Sequence, residues 1–166
     1  SPAWADQHQA FRKQIRMARE YGLPLVIHSR EADDDMLRIL REENASEVGG
    51  AWHYFQGSAS LAAQAIDLNL MISFGKPLLR MESIQKAALD IPLDRIVIET
   101  DSYPQYFKKH RERWTEPWHL PLVAMKLAEL LDTDAEHIAR ITTDNYLRML
   151  MGRVNFDDLP LSLQHD

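Results

Sequence analysis

Short runs of aliphatic residues alternate along the chain with longer segments whose apolar positions recur every three or four residues. The first kind reads as buried parallel strand and the second as amphipathic helix. Ser1-Pro2 opens as a turn or loop, and Asp6 to Tyr21 reads as helix, with Phe11, Ile15 and Ala18 on one face and Gly22 as a stop. Pro24 to His28 is the first strand. Asp33, Asp34 and Asp35 open the next helix, where the macrodipole favours anions, and Met36, Leu37, Ile39 and Leu40 form its buried side. The second strand spans Val48 to Phe55, and Gln56-Gly57-Ser58 turns into a short helix carrying Leu61, Ala62, Ala65 and Ile66 on one face. Leu70 to Phe74 is the third strand. Met81, Ile84, Ala87 and Ala88 mark another helix, and Ile91-Pro92-Leu93-Asp94 turns into the fourth strand, Arg95 to Glu99.

Residues 102 to 116 form a long polar loop, unusual inside a compact domain unless it has a function. Pro117 then starts a helix with Leu120, Val123, Ala124, Leu127, Leu130 and Leu131 in a 3.6-residue stripe. Thr133-Asp134-Ala135-Glu136 reads as a capping box, and the helix it opens runs to Met151 and stops at Gly152. The acidic, Pro-broken tail from Arg153 to Asp166 reads as loop or partly disordered. Strands alternating with helices predict an α/β fold with a parallel sheet and right-handed crossovers. Four such strands with helices on one face are half of a (β/α)8 barrel, and two open strand edges predict self-association or pairing with further polypeptide.

The 166 residues suit one domain, and 45% apolar with 27% charged residues is ordinary globular composition. A net charge of −6 gives no global attraction for nucleic acid or an anionic membrane, so any anion binding is local. The absence of cysteine excludes disulfides and thiolate chemistry. No apolar run reaches the roughly 20 residues of a membrane span, and no secretory signal opens the chain. A cytoplasmic location without membrane contact is the expectation, although residue 1 is Ser and the natural start need not be present.

Three strands run into polar residues at their C-terminal ends: Val26-Ile27 into His28, Ala51-Trp52 into His53, and Ile98 into Glu99 and Asp101. His28 or His53 alone is more often a hydrogen-bonded structural residue, and Asp101 alone suits a cap of the loop that follows. Together they sit where a parallel barrel converges on its active-site face, and imidazole with carboxylate suits zinc, manganese or magnesium. Glu99 is a carboxylate placed to orient a ligand or to pair with Arg30. Lys108, Lys109, Arg111 and Arg113 make the long loop basic, either a solvated charge run or a phosphate grip. Trp114 and Trp118 flank it, as base-stacking or packing residues, while His110, His119 and His137 show no partner pattern and read as surface.

With these residues in place, the chain resembles the TatD family of metal-dependent deoxyribonucleases. Leu23 to Ala32 resembles the family's LPVIIHSREA, His53 to Ser58 its HCFTGS, and Ile72 to Gly75 its ISFSG. Ile91 to Arg95 and Glu99 to Ser102 resemble IPLDR and ETDSP, Glu116-Pro117 the end of RNEP, and Thr143 with Asn145 the closing T-x-N. The resemblance implies a (β/α)8 TIM-barrel fold of which residues 1–152 carry roughly the last four strands and the C-terminal helices, with 153–166 as a tail. It implies His28, His53 and Asp101 as ligands of one or two divalent ions (Mg2+, Mn2+ or Zn2+), and Asp101 as the residue that holds or deprotonates the attacking water. It implies DNA as substrate. The other readings are a hydrolase of another ester or amide, and a truncated non-catalytic interaction module. The family's first-strand His-x-His and fourth-strand Glu have no counterpart here, Tyr103-Pro104 reverses its Pro-Tyr, and Thr115 replaces its Asn.

Overall fold

A computed structural model describes residues 2–107, 109–110 and 114–150. Helix α1 spans Pro2–Tyr21, beginning four residues ahead of the segment marked by apolar periodicity. A proline is tolerated in a first helical turn because its missing N–H would have no intrahelical partner there. The helix ends at Gly22, whose φ of 62° lets the chain reverse, with Leu23 N–H donating to Ala18 O at 2.8 Å. Strand β1 is Leu25–Ile27, helix α2 Asp33–Glu42, strand β2 Gly50–Trp52, helix α3 Ala59–Ile66 and strand β3 Leu70–Phe74. Helix α4 spans Glu82–Leu89, strand β4 Ile96–Ile98, helix α5 Leu120–Leu130 and helix α6 Ala135–Leu150. The predicted strands shrink to their apolar centres, and β3 keeps its predicted bounds.

The sheet is four-stranded and parallel, in the order β1-β2-β3-β4. Leu25, Ile27, Trp52, Leu70, Ile72, Phe74 and Ile96 point to one face and bury the main core against α1 to α5. Gly50 allows β2 to approach β1: at its φ of 144°, a Cβ would lie 1.9 Å from Leu25 O. The other face holds a smaller cluster, Ala51, Met71 and Val97 against Met149 from the end of α6. Val26 on this face is 72% exposed, beside an apolar cavity of about 710 Å³ between the sheet and helices α5 and α6.

Helices thus cover more than the one face expected. Strands β1 and β4 are the two edges of the sheet, as expected, and at β4 a side chain of α6 meets one strand carbonyl. Asn145 of α6 is buried, and its side-chain amide donates to Leu93 O at 2.8 Å and to Ile96 O at 2.7 Å. The opening of α6 differs from the predicted capping box, because Asp134 rather than Thr133 supplies the cap, accepting from His137 N–H at 2.6 Å. The tail from Arg153 lies outside the described residues.

Helix α1 is held by charge as well as by its packing through Ile15. Arg12, Arg16 and Arg19 recur at spacings of four and three, so they share a face. Arg16 binds Glu43 through two bonds of 2.6 and 2.8 Å, Arg12 reaches the same carboxylate at 2.8 Å, and Arg19 pairs with Glu47. Glu43 is buried, and its two guanidinium partners hold its pKa down at about 2.

Two outcomes follow from these contacts. A carboxyl with a depressed folded-state pKa contributes stability that is present above its ordinary range near 4.5 and lost as pH falls towards 2. Urea midpoints measured between pH 5 and pH 2 should therefore fall less steeply in Glu43→Gln than in the parent. Asn145→Ala leaves two carbonyls without their donor and should destabilise by about 1–3 kcal/mol, read from the same denaturation curves.

Candidate functional site

Side chains two apart on a strand share a face. His28 follows Val26, His53 follows Ala51, Ser73 follows Met71, and Glu99 follows Val97, so all four project to the face opposite the main core. The register pairs Ile27 with Trp52, Trp52 with Ile72 and Ser73 with Val97. One residue beyond, the first pair sets His28 beside His53, and the second sets His53 beside Ser73. Backbone bonds hold this row: His53 N–H donates to Ile27 O, Phe55 N–H to Ser73 O and Glu99 N–H to Phe74 O, each at 2.9 Å.

His53 is the centre of the group. Its Nδ1 lies 2.8 Å from Glu99 Oε1, and its Nε2 lies 3.6 Å from Asp101 Oδ1. The His28 ring stands 5.9 Å from the His53 ring, centroid to centroid. Glu99 accepts a hydrogen bond from Ser73 Oγ through its other oxygen, Oε2. The predicted Arg30–Glu99 pair does not form. Arg30 is exposed and lines a polar cleft of about 640 Å³ with His28, Asp33, Tyr54 and Asp101. A guanidinium held in water has little reason to enter the half-buried space that His53 and Ser73 already share with Glu99.

Backbone strain gathers at the same end of the sheet. Glu31, Tyr54 and Asp101 have φ of 56°, 52° and 52°. Tyr54 is bulky and costs most in this region of backbone space. Its ring packs 5.8 Å from that of His53, and burial pushes its phenol pKa up.

The donors have the right chemistry for a divalent ion: two imidazoles and a carboxylate. The 3.6 Å between His53 Nε2 and Asp101 Oδ1 is too long for a hydrogen bond and near the separation of two ligands sharing one ion, with bonds of about 2.0–2.2 Å. Among the described residues, no group of three or more His, Cys, Asp or Glu is drawn together tightly enough to hold a metal. The fold therefore supplies a His53–Asp101 pair with His28 as a neighbour. His53 also opens onto the apolar cavity, whereas His28 and Asp101 line the polar cleft.

Lys109 is exposed, and Lys108, Arg111 and Arg113 lie outside the described residues. The loop is pinned at its base by Gln105, a buried side chain whose Oε1 accepts from Thr115 N–H at 3.2 Å. Trp114 packs edge-on against Tyr106, and Trp118 is 69% exposed. His119 is more than a surface residue. Its Nδ1 accepts from Glu116 N–H at 3.0 Å, closing a capping box, and lies 3.2 Å from Lys76 Nζ. The sequence assigns no role to Ser73, Tyr54 or Gln105, and it assigns His119 to the surface, where the structure gives it partners. Only Ser73 carried a usable signal, its shared parity with the predicted residues on a strand next to two of them.

The family model for TatD-related DNases matches residues 1–151. The match takes in nearly the whole chain, as the ordered motifs do. The chain is 40% identical over 154 residues to the uncharacterized metal-dependent hydrolase YabD of Bacillus subtilis, covering 90% of this chain and 58% of that protein. It is 30% identical over 144 residues to the human deoxyribonuclease TATDN3, covering 87% and 51% respectively. The crystal structure of YJJV, a TatD homolog from Escherichia coli, superposes with a TM-score of 0.80 at 24% identity over 93% of this chain and 59% of that one, which places the fold among the TatD-like TIM barrels. The chain thus spans a little over half the length of the relatives it matches. The ordered strand-end motifs, the parallel sheet that aligns them and a match over residues 1–151 together make this chain a member of the TatD-related DNase family.

Proposed function

We propose that this chain carries part of the active site of a metal-dependent hydrolase that cleaves phosphodiester bonds of DNA. The observation that carries the reading is the approach of His53 Nε2 to Asp101 Oδ1 at the C-terminal end of a parallel sheet, where barrel enzymes place their chemistry. The deoxyribonuclease name of a human relative supports the substrate class. His28, His53 and Asp101 would hold a divalent ion, of the Mg2+, Mn2+ or Zn2+ kind. The ion, when bound, supplies an acidified water and charge stabilisation at a phosphoryl oxygen.

The chain's own residues do the rest. Asp101 stands at the mouth of the polar cleft and is more exposed than His53, so it is placed to take a proton from a water in the cleft. Glu99 holds His53 from behind through Nδ1. Arg30, exposed on the cleft wall, is set to grip a phosphate, with Lys109 and, from outside the described residues, Lys108, Arg111 and Arg113 adding positive charge to a chain that is otherwise net negative. The 1–152 segment carries this part of the site, and 153–166 follows it as a tail.

The test is cleavage of labelled single-stranded DNA with Mn2+ or Mg2+, with and without chelator. Cleavage should vanish with chelator and fall by about 100-fold or more in Asp101→Ala. Cleavage that survives both treatments would refute the reading. Mn2+ binding, followed by electron paramagnetic resonance, should weaken in His53→Ala and in Asp101→Ala alike.

A further inference from the structure

We propose that Ser73 is a positioning residue: acting through Glu99, it holds His53 as the Nδ1–H tautomer and leaves the Nε2 lone pair facing Asp101. The inference rests on the hydrolase reading only for what that lone pair is used for. Ser73 is 3% exposed, sits on β3 beside β4, and donates from Oγ to Glu99 Oε2. That bond fixes the plane of the carboxylate. The remaining oxygen, Oε1, is buried and, among the described residues, accepts no hydrogen bond of full geometry, yet it lies 2.8 Å from His53 Nδ1. A buried carboxylate oxygen is costly unless a donor meets it, and the Nδ1–H of His53 is the donor at hand. A neutral imidazole protonated at Nδ1 is unprotonated at Nε2.

A Cβ at Gly75 would lie 3.1 Å from the Tyr54 ring, a tight contact, and 3.5 Å from Glu99 Cγ, an ordinary one, so the glycine makes room chiefly for Tyr54. With Oε2 tied to Ser73, Oε1 faces His53. Removing the Ser73 hydroxyl frees the carboxylate to rotate while leaving the packing alone, because Ser73 borders the apolar cavity of about 710 Å³. The same space accepts the extra methyl of a threonine.

The experiment uses the chain labelled with 15N-histidine at a pH of about 8, above the ordinary histidine range. Long-range proton–nitrogen spectra distinguish the tautomers, and a His53→Gln variant assigns the His53 signals. In the parent, Nδ1 should resonate as a protonated nitrogen and Nε2 as an unprotonated one. In Ser73→Ala, both signals should move towards their average, and Ser73→Thr should restore the parent pattern. A parent spectrum showing Nε2–H, or an unchanged tautomer in a folded Ser73→Ala, would overturn the proposal. The parent spectrum alone decides the first point if the alanine variant does not fold. No metal or substrate is needed, so failure of the cleavage assay and failure of this assignment are separate results.

Discussion

The side-chain alternation of a parallel sheet in fixed register is the constraint on which the site depends. One parity buries Leu25, Ile27, Trp52, Ile72, Phe74 and Ile96 against the helices. The other parity, forced to the opposite face, collects His28, His53, Ser73 and Glu99. A slip of one residue in a strand would drive an imidazole, a hydroxyl or a carboxylate into the main core and turn an apolar side chain away from it. The free energy that holds the register is therefore the burial of the large core, and the polar row is aligned as a consequence of it.

Buried Glu43 and half-buried Glu99 show how a carboxylate's partners decide what it can do. Glu43 meets two guanidinium groups, and its charge is saturated. It fastens α1 to the turn after α2 and resists protonation down to about pH 2. Glu99 meets a hydroxyl and an imidazole, both neutral in the arrangement inferred here. One of its oxygens remains committed to a ring whose orientation matters to the neighbouring Asp101. Full pairing with cations suits a clamp, whereas partial pairing with neutral donors suits a positioning device.

The strained backbone positions divide along similar lines. Asn44, Asn69 and Asp132 have positive φ in turns far from the site, and these residue types tolerate it. Glu31, Tyr54 and Asp101 lie just past strand ends at the polar cleft, and two of them tolerate it poorly. The core that fixes the strands immediately before them is what sustains these conformations.

Much of the fold was legible in the chain because it rests on local periodicity. The bounds of β3, the buried side of α2 and the stripe of α5 need only nearest neighbours along a strand or helix. The family was legible too, because strand-end motifs such as His28-Ser29-Arg30 and Glu99-Thr100-Asp101 are contiguous in sequence. Contacts between distant segments were not legible. Helix α1 docks through Arg12 and Arg16 onto Glu43, and the end of α6 wraps onto the second sheet face through Met149. Glu99 could have chosen Arg30 or His53 on charge alone. The β3–β4 register put Ser73 and His53 within its reach and left Arg30 in solvent, a choice of partner that depends on spacing across strands and so exists only in three dimensions.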